Sequence, residues 1–526
     1  MGHHPEDHHS QDTILQSFIL HAQAQAIQVH PAIEPYHFLR HGSGIRALSV
    51  LEVGTRLVCV PKSALLTPSS IPESFCAKSA RKSISAHALL AAYIAFDEAF
   101  TNQNGPSAVW TATWPGFEHF RASMPLLWPA RCQGEWSLPS LPSNEAPHFS
   151  TQSNLNSPRT RRDEWYWDGT FSILPASIVS VLEGQIARFR QDLETALSLI
   201  PIAKDAYRQS SLRAEDSFKY AWCIVNTRSL YFDPSPPKAG HRSPQNQLEI
   251  PVLADDVESP AHRNRFQESN QYMVLCPLID LFNHTSNPTS ACKVTQNSSG
   301  FTITSPETLT GAKGEEEELF VSYGPHSNDF LFVEYGFLLP GTENTHDAVN
   351  LDSAILPALN TEQKRRLDAK GYLGEYTLLS PQANGGEAAV CWRTEVVAKI
   401  GLLSAQQWEG FVDGLVDEDD LGDGLKEKAR AVIRAWVETT RQHVERGVSG
   451  LEGLAKDPNG ILKLFADDFE NHEQAKATTV STDQRGDNTK ITEREARIAR
   501  RRYHLVLERW RQILHICDAY LHQDQI

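Results

Sequence analysis

Two tyrosine–glycine pairs, which follow an asparagine–histidine pair, are the residues of this sequence whose types and spacing favour chemistry. Asn283 and His284 end an apolar run, and Tyr323 and Tyr335 each precede a glycine. An apolar strand that stops at polar side chains, followed by a tyrosine at a glycine-assisted bend, exposes a few polar groups in a dry pocket. A tyrosine hydroxyl in such a pocket can orient a nucleophile, and the ring can stabilise a cation.

Methyl transfer from a sulfonium to an amine, the reaction implied by the family resemblance described below, is a direct displacement that such a pocket could serve. A lysine side chain has a pKa of about 10.4, so only roughly one amine in a few thousand is neutral at pH 7. A site helps by desolvating the ammonium and by aligning its lone pair with the methyl group. This reaction needs neither a metal nor an acidic pair, and the sequence lacks HxxEH, CxxC and GxSxG patterns.

Two upstream stretches would have to support the pocket. Gly42, Ser43 and Gly44 precede an apolar run and predict a small β-meander, which differs from the strand–loop–helix order of a dinucleotide-binding fold. A helix is predicted to end at Arg228, because apolar residues before it recur at intervals of four and three. Taken alone, Arg228 would be an ordinary cation that complements the dipole at the end of a helix.

The order of these stretches resembles a SET domain. PLIDLFNH, FVSYG and SNDFLFVEYGF resemble its C-terminal half, and GSG and TRS precede them in the same order. The narrower resemblance is to the branch typified by the plant Rubisco large-subunit lysine methyltransferase, whose members methylate proteins with S-adenosylmethionine. Glycines matter in the GSG loop of that family because a Cβ atom would hold the cofactor away from the backbone amides.

The resemblance implies an α+β fold, in which a SET-domain β-clip of short strands carries a helical insertion and precedes an all-α domain. The expected parts are an N-terminal tail and helix over 1–30, a SET domain over 31–340 and a helical substrate-binding domain over 341–526. The insertion is expected over about 68–216, and loops over about 137–162 and 233–270 are expected to be mobile. In the last domain, helices are predicted over 361–369, 405–415, 424–446 and 492–522, the final one behind a T-x-x-E capping box.

The resemblance also assigns roles by position. Tyr323 is the implied catalytic residue. Arg228, Asp280 and Tyr335 are implied to bind substrate. The residues implied to bind S-adenosylmethionine are His41, Gly42, Ser43, Gly44, Arg228, Asn283, His284 and Tyr323, and no metal is implied. Taken alone, each tyrosine could be a core aromatic, Asp280 could be a loop or N-cap carboxylate, and Asn328 is expected to cap the next helix.

Composition limits the partners and the compartment. The formal net charge of −16 argues against broad nucleic-acid binding, although it suits either a basic protein partner or solubility alone. No run of 18 or more uncharged apolar residues and no secretory signal are seen, so no membrane association is expected. The eight cysteines form no CxC or CxxC pair, which predicts reduced packing residues in the cytosol or nucleus.

The sequence therefore predicts a monomeric, S-adenosylmethionine-dependent protein-lysine methyltransferase. Its protein substrate would bind through the SET channel and the C-terminal helices. Two alternatives stay open: a protein-histidine methyltransferase on the same fold, and a scaffold that binds S-adenosylmethionine or a peptide without catalysis.

Overall fold

The structure is a computed structural model that describes most of the chain. The described residues are 5–38, 42–129, 132–133, 173–233, 272–306, 317–421, 424–457, 459–466 and 492–523. His41, the loop predicted over 137–162 and almost all of the loop predicted over 233–270 lie outside these ranges. No helix within the described ranges is both long and apolar enough to cross a membrane.

The chain forms two compact units, each built from two segments. The first unit comprises Met1–Phe120 and Gln185–His326, and the second comprises Arg121–Gly184 and Ser327–Ile526. The unit boundary at His326 lies shortly before the domain boundary expected at residue 340. The expected domain limits at 30 and 340 stay predictions.

The first unit is built around an eight-stranded sheet with a separate two-stranded ribbon. Its strands are β1 (Gln28–Val29), β2 (Ile33–Phe38), β3 (Gly42–Ala47), β4 (Arg56–Pro61), β5 (Ser229–Tyr231), β6 (Met273–Leu275), β7 (Asn283–His284), β8 (Ala291–Asn297), β9 (Gly300–Thr304) and β10 (Glu317–Val321). The sheet order is β1-β4-β9-β8-β10-β3-β2, with β7 also paired to β10, and β5 pairs with β6.

Strand β10 joins the parts of the sheet that carry the predicted site. It pairs antiparallel with β3, where Leu319 lies opposite Ile45. It pairs parallel with β7, where Phe320 lies opposite Asn283, and parallel with β8. The GSG strand, the asparagine–histidine strand and the residues after β10 therefore meet although they are far apart in sequence.

Most of the described residues between β4 and β5 are helical, as expected for a helical insertion, and the expected bounds of the insertion stay a prediction. The helices of this part and of the N-terminus are α1 (Pro5–Ala24), α2 (Ala86–Phe96), α3 (Glu98–Thr101), α4 (Ala108–Thr111), α5 (Phe117–Ser123), α6 (Ala176–Leu199), α7 (Pro201–Gln209) and α8 (Ser211–Arg228). Helix α2 is buried on nearly all sides, begins at the Ser85 cap and packs against α8, where His87 stacks on Trp222. Helix α8 ends at Arg228.

The second unit is mainly helical, as predicted. Its helices are α9 (Asn328–Tyr335), α10 (Asp352–Ile355), α11 (Thr361–Ala369), α12 (Trp392–Ile400), α13 (Ala405–Val412), α14 (Leu425–Leu454), α15 (Gly460–Phe465) and α16 (Glu493–His522). A small antiparallel sheet of β11 (Ala348–Asn350), β12 (Thr377–Leu379) and β13 (Ala389–Val390) was not predicted. The C-terminal part is therefore not purely α-helical, because strands of two or three residues are too short to show a period of two.

Capping residues were predicted for the N-termini of two helices in the second unit, α9 and α16. The Thr492 side chain accepts from the Glu495 backbone N–H and begins α16 where predicted. The prediction that Asn328 caps α9 is wrong, because Ser327 is the N-cap residue and accepts from the Phe330 N–H. Asn328 is instead fully buried and its amide bonds to Leu339 and to Gln512 of α16, which the adjacent sequence could not reveal.

Candidate active site

Tyr323 lies directly after β10 and contacts the asparagine–histidine strand at three points. Its hydroxyl donates to the Phe282 carbonyl at 2.7 Å, and its backbone N–H donates to His284 Nδ1 at 3.0 Å. The rings of Tyr323 and His284 stack with centroids 5.1 Å apart. Because Nδ1 accepts, the proton of a neutral His284 ring is assigned to Nε2. The structure thus brings Tyr323 and the Asn283–His284 pair together, as predicted.

Asn283 ties this strand to the GSG strand. Its side-chain Nδ2 donates to the Ser43 carbonyl at 3.2 Å and to Glu318 Oε1 at 2.6 Å. The predicted use of the asparagine side chain, to fix the loop, fits these two bonds. Glu318 was not predicted, because it lies within a run of glutamates that is typical of a solvated loop.

The two glycines of the GSG strand serve different physical needs. Gly42 has φ +78, and no described atom lies within 4 Å of the position that a Cβ would take. A Cβ on Gly44 would lie 2.6 Å from Glu318 Oε1 and 3.0 Å from Asn283 Nδ2. Gly44 therefore makes room for the Asn283–Glu318 pair, whereas Gly42 leaves open space beside the strand.

Gly324 shapes the backbone immediately after Tyr323. Its φ of +133 is a conformation that favours glycine, and a Cβ there would lie 2.6 Å from His326 Nε2. The His326 ring is also 3.1 Å from the Tyr323 carbonyl oxygen. The tyrosine–glycine pair is therefore a tight bend, as predicted, and His326 is a supporting residue that the sequence did not indicate.

Arg228 is the last residue of α8, and its guanidinium interacts with two oxygen atoms of Asp280. Its Nη1 donates to the Asp280 carbonyl oxygen and lies 3.9 Å from Asp280 Oδ2. The Nε atom is buried, and among the described residues it has no hydrogen-bond partner. A buried donor without a partner is costly. This donor therefore suits a ligand that brings its own acceptor.

Asp280 lies beside Arg228 with its carboxylate buried. Its side chain has no exposed surface, and its Oδ2 accepts from the indole N–H groups of Trp110 at 3.0 Å and Trp114 at 3.2 Å. The Asp280 carboxylate is thus engaged by two indoles, and its predicted contact with a substrate stays a prediction. Neither tryptophan was predicted to be near the site, because both precede Asp280 by more than a hundred residues.

Two further predicted site residues, Tyr335 and His41, stay untested. Tyr335 is the last residue of α9 in the second unit, where its ring lies 6.3 Å from that of Phe330 and 6.1 Å from that of Phe337. Its contact with a substrate stays a prediction. The cofactor contact of His41 also stays a prediction, since His41 lies outside the described residues.

Burial governs the protonation of the site. Burial raises the pKa of Tyr323 well above its ordinary value, Arg228 opposes this shift, and Glu318 and Asp280 add to it. Burial also raises the pKa of Asp280, although Arg228 and the two indoles lower it in part. Burial raises the pKa of Tyr220 to about 12 despite the opposing charge of Arg228. The tyrosines near Arg228 are therefore neutral phenols at physiological pH.

Comparison with known proteins finds relatives that are named as lysine methyltransferases or as SET domain-containing proteins. No family model matches the chain. It is 28% identical over 229 residues to the ribosomal lysine N-methyltransferase set11 of Schizosaccharomyces pombe, which is 42% of this chain and 49% of that protein. It is 23% identical over 289 residues to human SET domain-containing protein 4, which is 52% of this chain and 56% of the relative. The chain thus spans about half the length of these two curated relatives.

A third relative and a solved structure extend the comparison. Ribosomal lysine N-methyltransferase 2 of Saccharomyces cerevisiae is 22% identical over 352 residues, which is 60% of this chain and 66% of that protein. A structure of Rubisco LSMT bound to AdoMet aligns over 98% of this chain and 93% of its own, with 11% identity and a TM-score of 0.46. That superposition is too distant to support a conclusion. The sequence relatives confirm that this chain resembles the SET-domain lysine methyltransferases, as its motifs predicted.

Proposed function

We propose that this protein is an S-adenosylmethionine-dependent protein-lysine N-methyltransferase. The observation that carries the proposal is the convergence of Tyr323, the Asn283–His284 pair and the GSG strand on strand β10. The names of the relatives support lysine as the acceptor. The reaction would transfer one methyl group directly to the side-chain amine of a substrate protein.

The described residues fit S-adenosylmethionine in two respects. Arg228 Nε is a buried donor that lacks a partner among the described residues, and a ligand carboxylate would satisfy it. Gly42 leaves space beside its backbone. The residues that would hold the cofactor are Gly42, Ser43, Gly44, Arg228, Asn283, His284 and Tyr323. When bound, S-adenosylmethionine supplies an electrophilic methyl group.

Tyr323 would prepare the site for an uncharged amine. Its phenol stays protonated because burial raises the pKa, so it places no negative charge that would retain a lysine ammonium. The hydroxyl is fixed by its bond to the Phe282 carbonyl, and the ring is fixed by the stack on His284. A pre-oriented hydroxyl and an aromatic face can align an amine and favour a nearby cation without reorganisation.

The partner and compartment are proposed from coarser observations. Two of the relatives are named ribosomal lysine N-methyltransferases, so a protein substrate is proposed here too. All eight cysteines lie in the described ranges as thiols, which suits the cytosol or the nucleus. Binding of the substrate by the helices of 341–526 and a monomeric state stay predictions.

The direct test supplies labelled S-adenosylmethionine and a fractionated cell extract to the purified protein, and locates the label by mass spectrometry. We expect methyl on lysine, and we expect Tyr323→Phe to lower the turnover at least about 100-fold. Because the phenyl ring remains, the affinity of the variant for S-adenosylhomocysteine should stay close to wild type.

Other outcomes separate the alternatives. Methyl on imidazole would identify a histidine methyltransferase on the same fold. Binding of a peptide without transfer of label, in wild type and variant alike, would identify a scaffold. Equal turnover in wild type and Tyr323→Phe would remove Tyr323 from the catalytic role.

A further inference from the structure

We infer that Trp110 and Trp114 are positioning residues, which hold Asp280 and, through it, hold Arg228 in place for cofactor binding. The inference rests on the proposed function, since it gives Arg228 a ligand. It goes beyond that function because it assigns a role to the helical insertion, which brings both tryptophans to the site. Neither indole contacts Arg228 itself in the described bonds.

The two indoles form a rigid pair of donors. Both N–H groups point to the same atom, Asp280 Oδ2, at 3.0 Å and 3.2 Å. The rings of Trp110 and Trp114 meet edge to face with centroids 5.3 Å apart, and the Phe100 ring stacks on Trp114 at 6.1 Å. Both tryptophans are buried. Aromatic packing therefore fixes where the carboxylate can lie.

Asp280 passes this restraint to Arg228 by two routes. Its carbonyl accepts directly from Nη1, and its carboxylate attracts the guanidinium across 3.9 Å. With Nη1 held in this way, the direction of the unpartnered Nε is set before a ligand arrives. Pre-organisation of this kind raises affinity because the side chain loses less freedom on binding.

The turn that contains Asp280 also positions the hydrogen-bond acceptor of Tyr323. Asp280 lies in a short 3₁₀ turn, Ile279–Leu281, and the next residue, Phe282, supplies the carbonyl that receives the Tyr323 hydroxyl. The turn follows Leu278, a buried leucine with φ +73, which is a conformation that side-chain-bearing residues rarely adopt. A turn that begins with such a residue needs restraint, and the indole bonds to Asp280 provide it.

Simple stabilisation of the core explains this cluster less well. The Oδ1 atom of Asp280 has no hydrogen-bond partner among the described residues, so the carboxylate is only partly satisfied. Replacing a buried charged pair by apolar residues is often neutral or stabilising. A partly satisfied carboxylate between two indoles and an arginine is therefore better explained by orientation than by stability.

The test compares matched tryptophan variants of the full chain. Trp110→Phe and Trp114→Phe each remove one indole donor from Asp280. Trp222→Phe is the control, since Trp222 is equally buried in the first unit and donates to Asp192 Oδ2 at 2.9 Å. Calorimetry gives the affinity for S-adenosylhomocysteine, and thermal unfolding gives the stability of each variant.

We expect the two test variants to bind S-adenosylhomocysteine about 10-fold more weakly, as is typical when a supporting hydrogen bond behind a binding group is lost. The control should bind within about 2-fold of wild type, although all three variants lose a similar hydrogen bond and similar stability.

The pH dependence of the affinity for S-adenosylhomocysteine provides a second measurement. It would not change if the tryptophans only stabilised the fold. The indole bonds lower the pKa of Asp280, so their loss should let Asp280 protonate at higher pH and release Arg228. Arg228 is the charged group that faces Asp280, and burial raises the pKa of Cys276 and Tyr323, so these two neighbours stay neutral across the acid range. Affinity should therefore fall more steeply toward acid pH in Trp110→Phe than in wild type, and Asp280→Asn should remove this dependence.

Three results would overturn the inference while leaving the proposed function intact: wild-type affinity in both test variants, an equal loss of affinity in Trp222→Phe, or an unchanged pH dependence in Trp110→Phe. Failure of the wild-type protein itself to bind S-adenosylhomocysteine or to methylate would instead reject the proposed function.

Discussion

Gly42 and Gly54 make a matched pair of left-handed glycines, one at the proposed cofactor site and one on the turn before β4. Their φ values are +78 and +76, and no described atom lies within 4 Å of a Cβ at either position. Asparagine is the side-chain-bearing residue best suited to this conformation. Gly42 begins β3 at the proposed cofactor site, whereas Gly54 lies on an exposed turn and serves as the control for the backbone conformation.

We expect Gly42→Asn to weaken the binding of S-adenosylhomocysteine by about 10-fold or more, because one lost hydrogen bond or displaced contact is worth roughly 1–3 kcal/mol. Gly54→Asn should bind like wild type, although both variants should lose about 1 kcal/mol of stability. Calorimetry and thermal unfolding measure the two effects. Equal affinity in the two variants would show that Gly42 serves the backbone alone.

The raised pKa of Tyr323 predicts how activity and stability depend on pH. Since the neutral phenol is favoured in the folded protein, the stability that it contributes is fully present below the ordinary tyrosine pKa of about 10 and is lost as pH rises through the raised value. The rate at low substrate concentration should rise from neutral pH to about pH 10, because the fraction of neutral lysine increases.

No falling limb from Tyr323 is expected in that range. A pH series of initial rates on one identified substrate measures this, with S-adenosylhomocysteine affinity at each pH as the control for folding. A descending limb with an apparent pKa below 10 that disappears in Tyr323→Phe would contradict the assigned protonation state.

At the scale of single residues, the motif residues could be predicted from the sequence. The residues that hold them in place could not. Tyr323, Asn283 and the GSG glycines were predicted because their types and order along the chain carry the signal. Trp110, Trp114 and Glu318 carry none, since their roles arise only when distant segments meet. The burial of the Asp280 carboxylate has the same cause: nothing next to Asp280 in sequence indicates two indoles.

At the scale of elements, helix α16 is anchored to the rest of the second unit by a buried ion network. Arg509 Nε donates to Asp329 Oδ1 at 2.6 Å, and Nη1 donates to Asp347 Oδ2 at 2.7 Å. Burial alone would lower the pKa of Arg509, but the two carboxylates raise it above its ordinary value. The arginine therefore stays charged and joins α16 to α9 and to the start of β11.

Arg509→Met should destabilise the second unit by about 3–5 kcal/mol, because it leaves two buried carboxylates without a cation. For a unit of this size, such a loss lowers the unfolding midpoint by about 10 °C. Arg511→Met is the control on the same helix, since Arg511 makes an exposed ion pair with Glu452 at 2.8 Å. The control should cost at most about 1 kcal/mol.

Thermal unfolding of the two variants measures the difference. A similar midpoint for Arg509→Met and Arg511→Met would show that the buried network does not hold α16.

Element prediction succeeded where local physics decides the outcome. Helix α11 begins and ends where predicted, because Asn360 and Gln363 form a capping box and the residues behind them favour a helix. Helix α14 continues to Leu454, past the predicted end at 446, where packing on α16 extends it. Strands β11 to β13 could not be predicted, because their length gives no periodic signal and their pairing is long-range.

At the scale of the whole molecule, the formal net charge of −16 influences the association of the protein with its substrate. An acidic surface attracts a basic protein over distances that salt shortens, since the Debye length falls from about 30 Å at 0.01 M to about 8 Å at 0.15 M ionic strength. The KM for a basic protein substrate should therefore rise about 10-fold or more over this range.

Initial rates at several salt concentrations measure this effect, and the KM for S-adenosylmethionine serves as the control that should change little. A substrate KM that is independent of salt would leave the acidic surface with a role in solubility only.

The division into two units shows why overall organisation is hard to predict from the sequence. The resemblance indicated a SET domain followed by helices, and the described residues form one unit built around a sheet and one mainly helical unit. The segment Arg121–Gly184, which lies within the expected insertion, belongs to the same unit as the C-terminal helices, and the bounds of the insertion stay a prediction. Its core contacts, such as the bond from Trp510 to the Ile173 carbonyl at 2.8 Å, join residues that are hundreds of positions apart.

Strand β10 has a consequence for biosynthesis. It lies between β3 and β8 and also pairs with β7. These three strands are synthesised earlier, and their pairing is incomplete until residues 317–321 have left the ribosome. Until then β3 has a neighbour on one side only, and an open strand edge is a template for aggregation. A messenger truncated before that point would yield a long polypeptide with most of the cofactor-site residues, no assembled site and a strong need for chaperones.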